Sequence, residues 1–281
     1  MPKFVKKNNH QVTRALLEYW QTTRKNSSVI WSFDVTKQEK KFFQGSKASF
    51  AIFEYLYVPL QEDGSRNDDL ENEFAVDEGS LGHLLKAANG RSTRKPSYRT
   101  LKKGIRSCVS LGFRSAYYTY RAMSLLAQHG VDSGDLHRLA IETMRKTLQA
   151  KYEQFANWSF VIITGLKEDL LINEQPFRDW TVHKEPHNFI TMALGPRAML
   201  VGTPSPDNRF AVAWGNGNQA PVNVANHNQF TVDTTRHFIV AASEAQLDAV
   251  LPLLTSELVT ERMSSDRVVT ASLPPSSSRT T

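Results

Sequence analysis

"WSFVIITGLKEDLLINEQPF", Trp158 to Phe177, is where the hydrophobic period of this chain changes. Upstream, apolar residues recur at helical spacing; here they fall into short runs, "SFVIITG" and "DLLIN", cut by Gly, Asn and Pro. Such runs read as β-strands, because a strand needs few residues and the punctuating residues end it. The signature continues through "NFITMALG", "AMLVGTP" and "RFAVAWG", so the last third of the chain predicts a mostly antiparallel sheet. "WGNGNQ", 214 to 219, reads as a hairpin turn. "NVANHNQFTVDTTR" then predicts a helix, "HFIVAAS" a strand and "SEAQLDAVLPLLTSEL" a capped helix. Residues 264 to 281, ending "SLPPSSSRTT", read as a disordered tail.

Working back toward the N-terminus, "LKKGIRSCVSLGFRSAYYTYRAMSLLAQHG" and "SGDLHRLAIETMRKTLQAKYEQFANW" are the strongest helical segments. The first should break near Gly112 and end at Gly130; Ser133 is suited to cap the second. "SVIWSFDV" and "EKKFFQG" read as a hairpin across a polar "TKQ" turn. From His10 to Trp20 the apolar beat predicts a first helix, with Asn8 or Asn9 as its N-cap. The order of elements gives an α+β fold. It has an N-terminal helix and β-hairpin, a helical middle, and a mostly antiparallel C-terminal sheet with flanking helices. The early hairpin packing on the later sheet would make residues 1–263 a single domain.

Composition sets outer bounds. With 40% hydrophobic and 22% charged residues the chain can bury a sizeable core. Its formal charge of +6 helps attract polyanions such as nucleic acid, and is equally what a solvated basic surface would show. Cys108 is the only cysteine, which excludes an internal disulfide and a cysteine-built zinc cage. Its apolar neighbours suit a small buried residue rather than a nucleophile. No run approaches the length of a membrane span, so no membrane partner is expected and the chain reads as cytoplasmic.

Charge is segregated along the chain. Residues 61–79, "QEDGSRNDDLENEFAVDEG", hold eight acidic residues and one arginine. Leu70, Phe74 and Leu81 carry a helical beat through them, so a loop runs into an amphipathic acidic helix. Between Lys86 and Arg106 there are eight Lys or Arg and no Asp or Glu. Either the two segments face one another as ion pairs, or the second is a basic docking strip.

Several of these segments, in this order, resemble a bacterial family, domain of unknown function 4238. "NHQVT" (Asn9 to Thr13) stands where that family has His-His-x-Val-Pro, and "VIWSFD" resembles its "lwvyD" strand, ending at Asp34. "DLENEFAVDEG" is similar to its "lE…iEg" stretch and sets Glu71 and Glu78 at the two glutamates. "DLLINEQPF" resembles "fiTSDnPv", with Asn173 and Glu174 for the Ser-Asp pair and Pro176 retained. "ITMALGPRAMLV" looks like "fpLsPrlll", and "NHNQFTVDTTRHFIVAA" like "lN…adrfvya", with Asn226 at the asparagine and Arg236 near the arginine. The resemblance spans roughly residues 8 to 255. It departs at Asn9, Thr13 and the Asn-Glu pair.

The chemistry those positions offer is that of one imidazole and up to three carboxylates. His10 with Glu71, Glu78 and Glu174 can hold a hard divalent ion such as Mg²⁺ or Mn²⁺, or position and deprotonate a water. Glu71 and Glu78 are seven residues apart, so on one helix they share a face about 10 Å apart, able to flank a groove or simply to form an acidic stripe. Arg114 and Arg121 have the same spacing with Tyr117, Tyr118 and Tyr120 between them, a pattern suited to phosphate and base contacts or to structural ion pairs with Glu71 and Glu78. His183 and His187 flank Pro186, which argues for a loop. No phosphate loop, nucleophile elbow or dinucleotide fingerprint is present. Two readings are open. The first is a phosphodiester hydrolase with His10, Glu174, Glu78 and Glu71 as catalytic residues and Arg114, Arg121 and Asn226 holding substrate. The second is a non-catalytic binding or accessory module in which the same marks are structural.

Overall fold

The structure is a computed structural model that describes residues 8–10, 12–35, 37–44, 51–182, 188–218 and 223–254. The tail from 264, the end of the last helical segment, and His183 and His187 lie outside the described residues. From the N-terminus, β1 (Asn8–His10) leads through a short helix, α1 (Arg14–Leu17), into β2 (Gln21–Arg24), β3 (Ser27–Asp34), β4 (Glu39–Gln44) and β5 (Ile52–Glu54). Five helices follow: α2 (Asp69–Val76), α3 (Glu78–Ala88), α4 (Tyr98–Leu111), α5 (Ala116–Gln128) and α6 (Leu136–Phe155). The chain then runs through β6 (Trp158–Thr164), β7 (Ile172–Asn173), β8 (Phe177–Asp179), β9 (Ile190–Gly195), β10 (Ala198–Pro204) and β11 (Ala211–Asn216). It ends its described part with α7 (Val224–Thr234), β12 (Phe238–Ala241) and α8 (Glu244–Val250). This is the expected α+β fold.

The strands form two larger sheets and one pair. In one sheet the order is β2-β3-β12-β7, with β4 also on β3, every pairing antiparallel. The early hairpin thus shares a sheet with β7 and β12: Asp34 is opposite Phe238 and Trp31 opposite Ala241. Strand β3 is buried from Val29 to Asp34, as its unbroken "VIWSFD" run requires. The other sheet has the order β11-β6-β10-β9-β8, antiparallel except that β11 lies parallel to β6 at its edge. α3 and α4 pack together against it, with Leu81, Leu84, Leu85, Ile105 and Cys108 in the same core as Phe160, Ile162 and Met192. Burial pushes the Cys108 thiol up, as suits a core residue rather than a nucleophile.

Four sequence expectations are corrected. Asn8 to His10 are a strand paired with Ile52 to Glu54, not a cap and the start of a helix. The cap of α1 is Thr13, whose hydroxyl accepts from the Leu16 N–H at 3.3 Å. The acidic helix is two helices broken at Asp77, so Glu71 and Glu78 do not ride one continuous face. α6 starts at Leu136 with Asp135, not Ser133, at its N-cap. "WGNGNQ" opens on edge strand β11, and the next described element is α7, not the return strand of a hairpin. The break near Gly112 falls where the sequence predicts it: α4 ends at Leu111 and α5 starts at Ala116.

The end of α3 forms one wall of a surface hollow. Gly90 has φ +69°, and the Arg91 and Gly90 N–H groups donate to Lys86 and Ala87 carbonyls at 2.8 and 3.3 Å. That αL closure terminates the helix and launches the 91–97 loop. Asn89 Nδ2 donates to both Leu85 O (2.9 Å) and Leu194 O (2.8 Å), tying the helix end to β9. Gly195 makes this approach fit, since a Cβ there would sit 1.8 Å from Asn89 Oδ1.

Candidate functional site

Two polar regions stand out, one holding the expected residues and one that the sequence had marked only as charge. In the first, Arg114 precedes α5 and is almost wholly buried. One guanidinium nitrogen pairs with Glu78, another donates to Phe74 O at 3.0 Å, and its carbon lies 4.4 Å from the Phe74 ring centroid. Arg114 therefore clasps both sides of the α2–α3 break. The hydroxyl of buried Tyr57 donates to Arg114 O, and burial holds that phenol well above its ordinary range, with Arg114 opposing and Glu71 adding to the rise. Glu71, Glu78, Tyr57 and Arg114 are thus neighbours.

Glu174 is linked to this group through its neighbour Gln175. Gln175 Nε2 reaches Ser115 Oγ at 3.3 Å, so the segment after β7 touches the one that carries Arg114. Glu174 is fully buried; one carboxylate oxygen accepts from Arg236 N–H at 3.0 Å, the other from His237 and Phe238 N–H at 3.5 Å. Arg178 is buried with it, donating to Asn173 Oδ1 at 2.8 Å. Burial lowers the Arg178 pKa to about 10 against the supporting charge of Glu174. His227, on α7, is pushed down to about 3 by burial and by Arg178, and so stays neutral. Asn173 closes the network through Thr231 O (3.0 Å), Thr234 Oγ1 (3.2 Å) and Thr235 Oγ1 (3.3 Å).

The remaining expected residues stand apart. Arg121 is exposed on α5, while Arg114 is buried before it, so the two do not present one phosphate clamp. Asn226 is exposed in the first turn of α7 and donates its N–H to the capping Asn223 side chain. The asparagine that ties that helix to the segment before β7 is instead Asn228, which accepts from Leu171 N and donates to Asp169 O. His10 is placed in β1 by its backbone, and its side chain lies outside what the structure describes. Among the described residues no three His, Cys, Asp or Glu side chains are gathered to hold a metal ion.

The second region is a hollow of about 530 Å³ between the end of α3, the 91–97 loop and the edge of the β6–β11 sheet. Asn89, Arg94, Lys95, Thr164, Arg197 and Trp214 are among its lining. A smaller hollow of about 230 Å³ adjoins it, sharing Arg94 and Lys95 and adding His83, Lys86 and Thr100. Among the described residues no Asp or Glu lines either. Lys86, Arg94 and Lys95 have no carboxylate partner among the described residues, whereas Arg197 is held by Asp169 at 2.8 Å. The basic strip therefore divides. Lys103 and Arg106 turn to Asp77 (3.9 and 3.4 Å), as the ion-pair reading expects, while Lys86, Arg94 and Lys95 face the hollows.

Aromatic rings stand along the same seam. Phe210, Val212 and Trp214 alternate onto one side of the β11 segment and pack partly buried against the core. Lys95 Nζ lies 5.2 Å from the Trp214 ring centroid, and Lys102 Nζ 5.4 Å from that of Phe210. Tyr98, exposed, meets Phe210 edge-on at 5.4 Å and donates its hydroxyl to Phe210 O at 2.9 Å. Sequence reading missed Trp214 and Phe210. The available signal was the aromatic–small–apolar–small–aromatic alternation of "FAVAW".

Compared with protein-family models, curated proteins and solved structures, the chain gives no match.

Proposed function

We propose that this chain is a nucleic-acid-binding protein whose contact surface is the pair of adjoining basic hollows between α3, the 91–97 loop and β11. The observation that carries this reading is the convergence of Lys86, Arg94 and Lys95 on acid-free concave surface bordered by Trp214. Unneutralised cations in a recess attract phosphates, and backbone contacts supply most of the affinity for nucleic acid. Fluorescence anisotropy with a labelled oligonucleotide tests it. The double substitution Arg94→Glu/Lys95→Glu should weaken binding at least about tenfold, since it replaces attraction with repulsion at two positions. Equal binding by the double variant would remove the hollows from the reading.

A second reading, phosphodiester hydrolysis, is supported by the grouping of Glu71, Glu78 and Arg114 at Tyr57, with the segment that follows Glu174 touching Ser115. Against it, the Glu174 carboxylate is occupied by backbone donors and Glu78 by Arg114. Incubation of RNA and DNA with protein and Mg²⁺ or Mn²⁺ separates the two. Cleavage lost in Glu78→Gln supports hydrolysis, and intact substrate with wild-type protein excludes it for those substrates.

A further inference from the structure

We infer that the ligand of the basic hollow is single-stranded nucleic acid, with an unpaired base stacked on Trp214 and its flanking phosphates on Arg94 and Lys95. This rests on the nucleic-acid reading above and narrows it. Trp214 is recessed, at the edge of the sheet and in the lining of the larger hollow. A duplex offers phosphates on a convex outer surface and keeps its base faces stacked inside, so it has no free base face to lay on a ring that lines a recess. An unpaired base can enter and lie on it. Every base has a π-face, so the contact needs no particular sequence.

The cations are arranged for the same ligand. The Lys95 ammonium already rests by the Trp214 ring and the Lys102 ammonium by Phe210, with Tyr98 exposed beside it. Residues 210 and 214 lie four apart along an extended segment, roughly 13 Å at 3.3 Å per residue. The β11 segment thus sets two ring–ammonium pairs in a row, the Trp214–Lys95 pair lining the larger hollow, in the alternation of stacking and charge that single-strand sites use. Binding moves the Lys95 ammonium from the ring face to a phosphate and gives the face to the base.

The test compares a labelled 12-nucleotide single strand with the matching 12-base-pair duplex at one salt concentration, for wild type, Trp214→Ala, Trp214→Phe and Arg94→Glu/Lys95→Glu. Wild type should bind the single strand about tenfold more tightly, and Trp214→Ala should lose about that factor on the single strand alone. Trp214→Phe should keep most of the affinity, and the tryptophan quenching that the strand causes in wild type should shrink in it. If Trp214→Ala does not fold, that quenching difference carries the test. Equal affinity for duplex, or quenching unchanged in Trp214→Phe, overturns the inference; loss of binding in the charge-reversed variant would then leave the broader reading standing. Failure of wild type to bind either oligonucleotide removes both.

Discussion

Burying His227 against Arg178 makes the seam between β7 and α7 sensitive to acid. The ordinary imidazole pKa of 6.5 falls to about 3 in the folded chain, first through burial and then through the Arg178 charge. Between those values the unfolded chain holds the proton and the folded chain does not, so stability is complete above about pH 6.5 and declines as pH falls toward 3. From pH 7 to pH 5 this one residue should remove about 2 kcal/mol. His137, half-buried and hydrogen-bonded to Leu56 O at 3.0 Å, is also lowered by burial and adds loss of the same sign. Urea midpoints at the two pH values check this: His227→Gln should lose distinctly less stability than wild type over that interval. Identical losses would mean the imidazole is not the titrating group. Glu174 and Arg178 set the context, because a buried carboxylate held by backbone donors and a buried guanidinium each make removal of the other expensive.

The contact between α3 and β9 is where a single atom decides whether two elements fit. Gly195→Ala would bring a Cβ to 1.8 Å from Asn89 Oδ1 and 2.6 Å from its Cγ, forcing the side chain off its two carbonyl acceptors. A cost of about 2 kcal/mol is expected from lost hydrogen bonds and overpacking. Denaturation of the single and double variants checks it: in an Asn89→Ala background the Gly195→Ala cost should largely disappear. This contact was not legible in the sequence, since it joins residues far apart in the chain. What was legible were runs with their own punctuation, such as "SFVIITG" becoming β6 and "HFIVAAS" becoming β12. The Asp77 break was hidden because Leu70, Phe74 and Leu81 keep one helical beat across it; the chain parts there where Arg114 grips Phe74 O and Glu78. The start of α1 was misplaced because Asn8–His10 answers to a strand more than forty residues on. The basic strip was plain as composition, but its division was not. That depends on how α4 lies on the sheet, with Tyr98 and Lys102 toward β11 and Lys103 and Arg106 toward Asp77.

For the molecule as a whole, a formal charge of +6 spread over 281 residues is too dilute to define a partner, and what counts is how much of it is local and unneutralised. Most cations given carboxylate partners lie away from the hollows: Lys40 with Glu244 and Asp248, Arg145 with Glu73, Lys151 with Asp179. Of the cations without such a partner among the described residues, Lys86, Arg94 and Lys95 are the ones that converge on the hollows. A local site and a diffuse basic surface then differ in salt dependence. Neutralising three phosphates of a single strand gives a slope of log K against log salt of about −2, since each contributes about −0.7. Arg94→Gln should make that slope shallower by about 0.7, whereas Lys146→Gln, on the exposed face of α6, should leave it unchanged. Anisotropy titrations across a salt series measure both. A steep slope eroded equally by either substitution would point to attraction by the whole surface. A slope near −2 that responds to Arg94 and ignores Lys146 would locate the contact in the hollows, because only cations that displace counterions at the site enter the count.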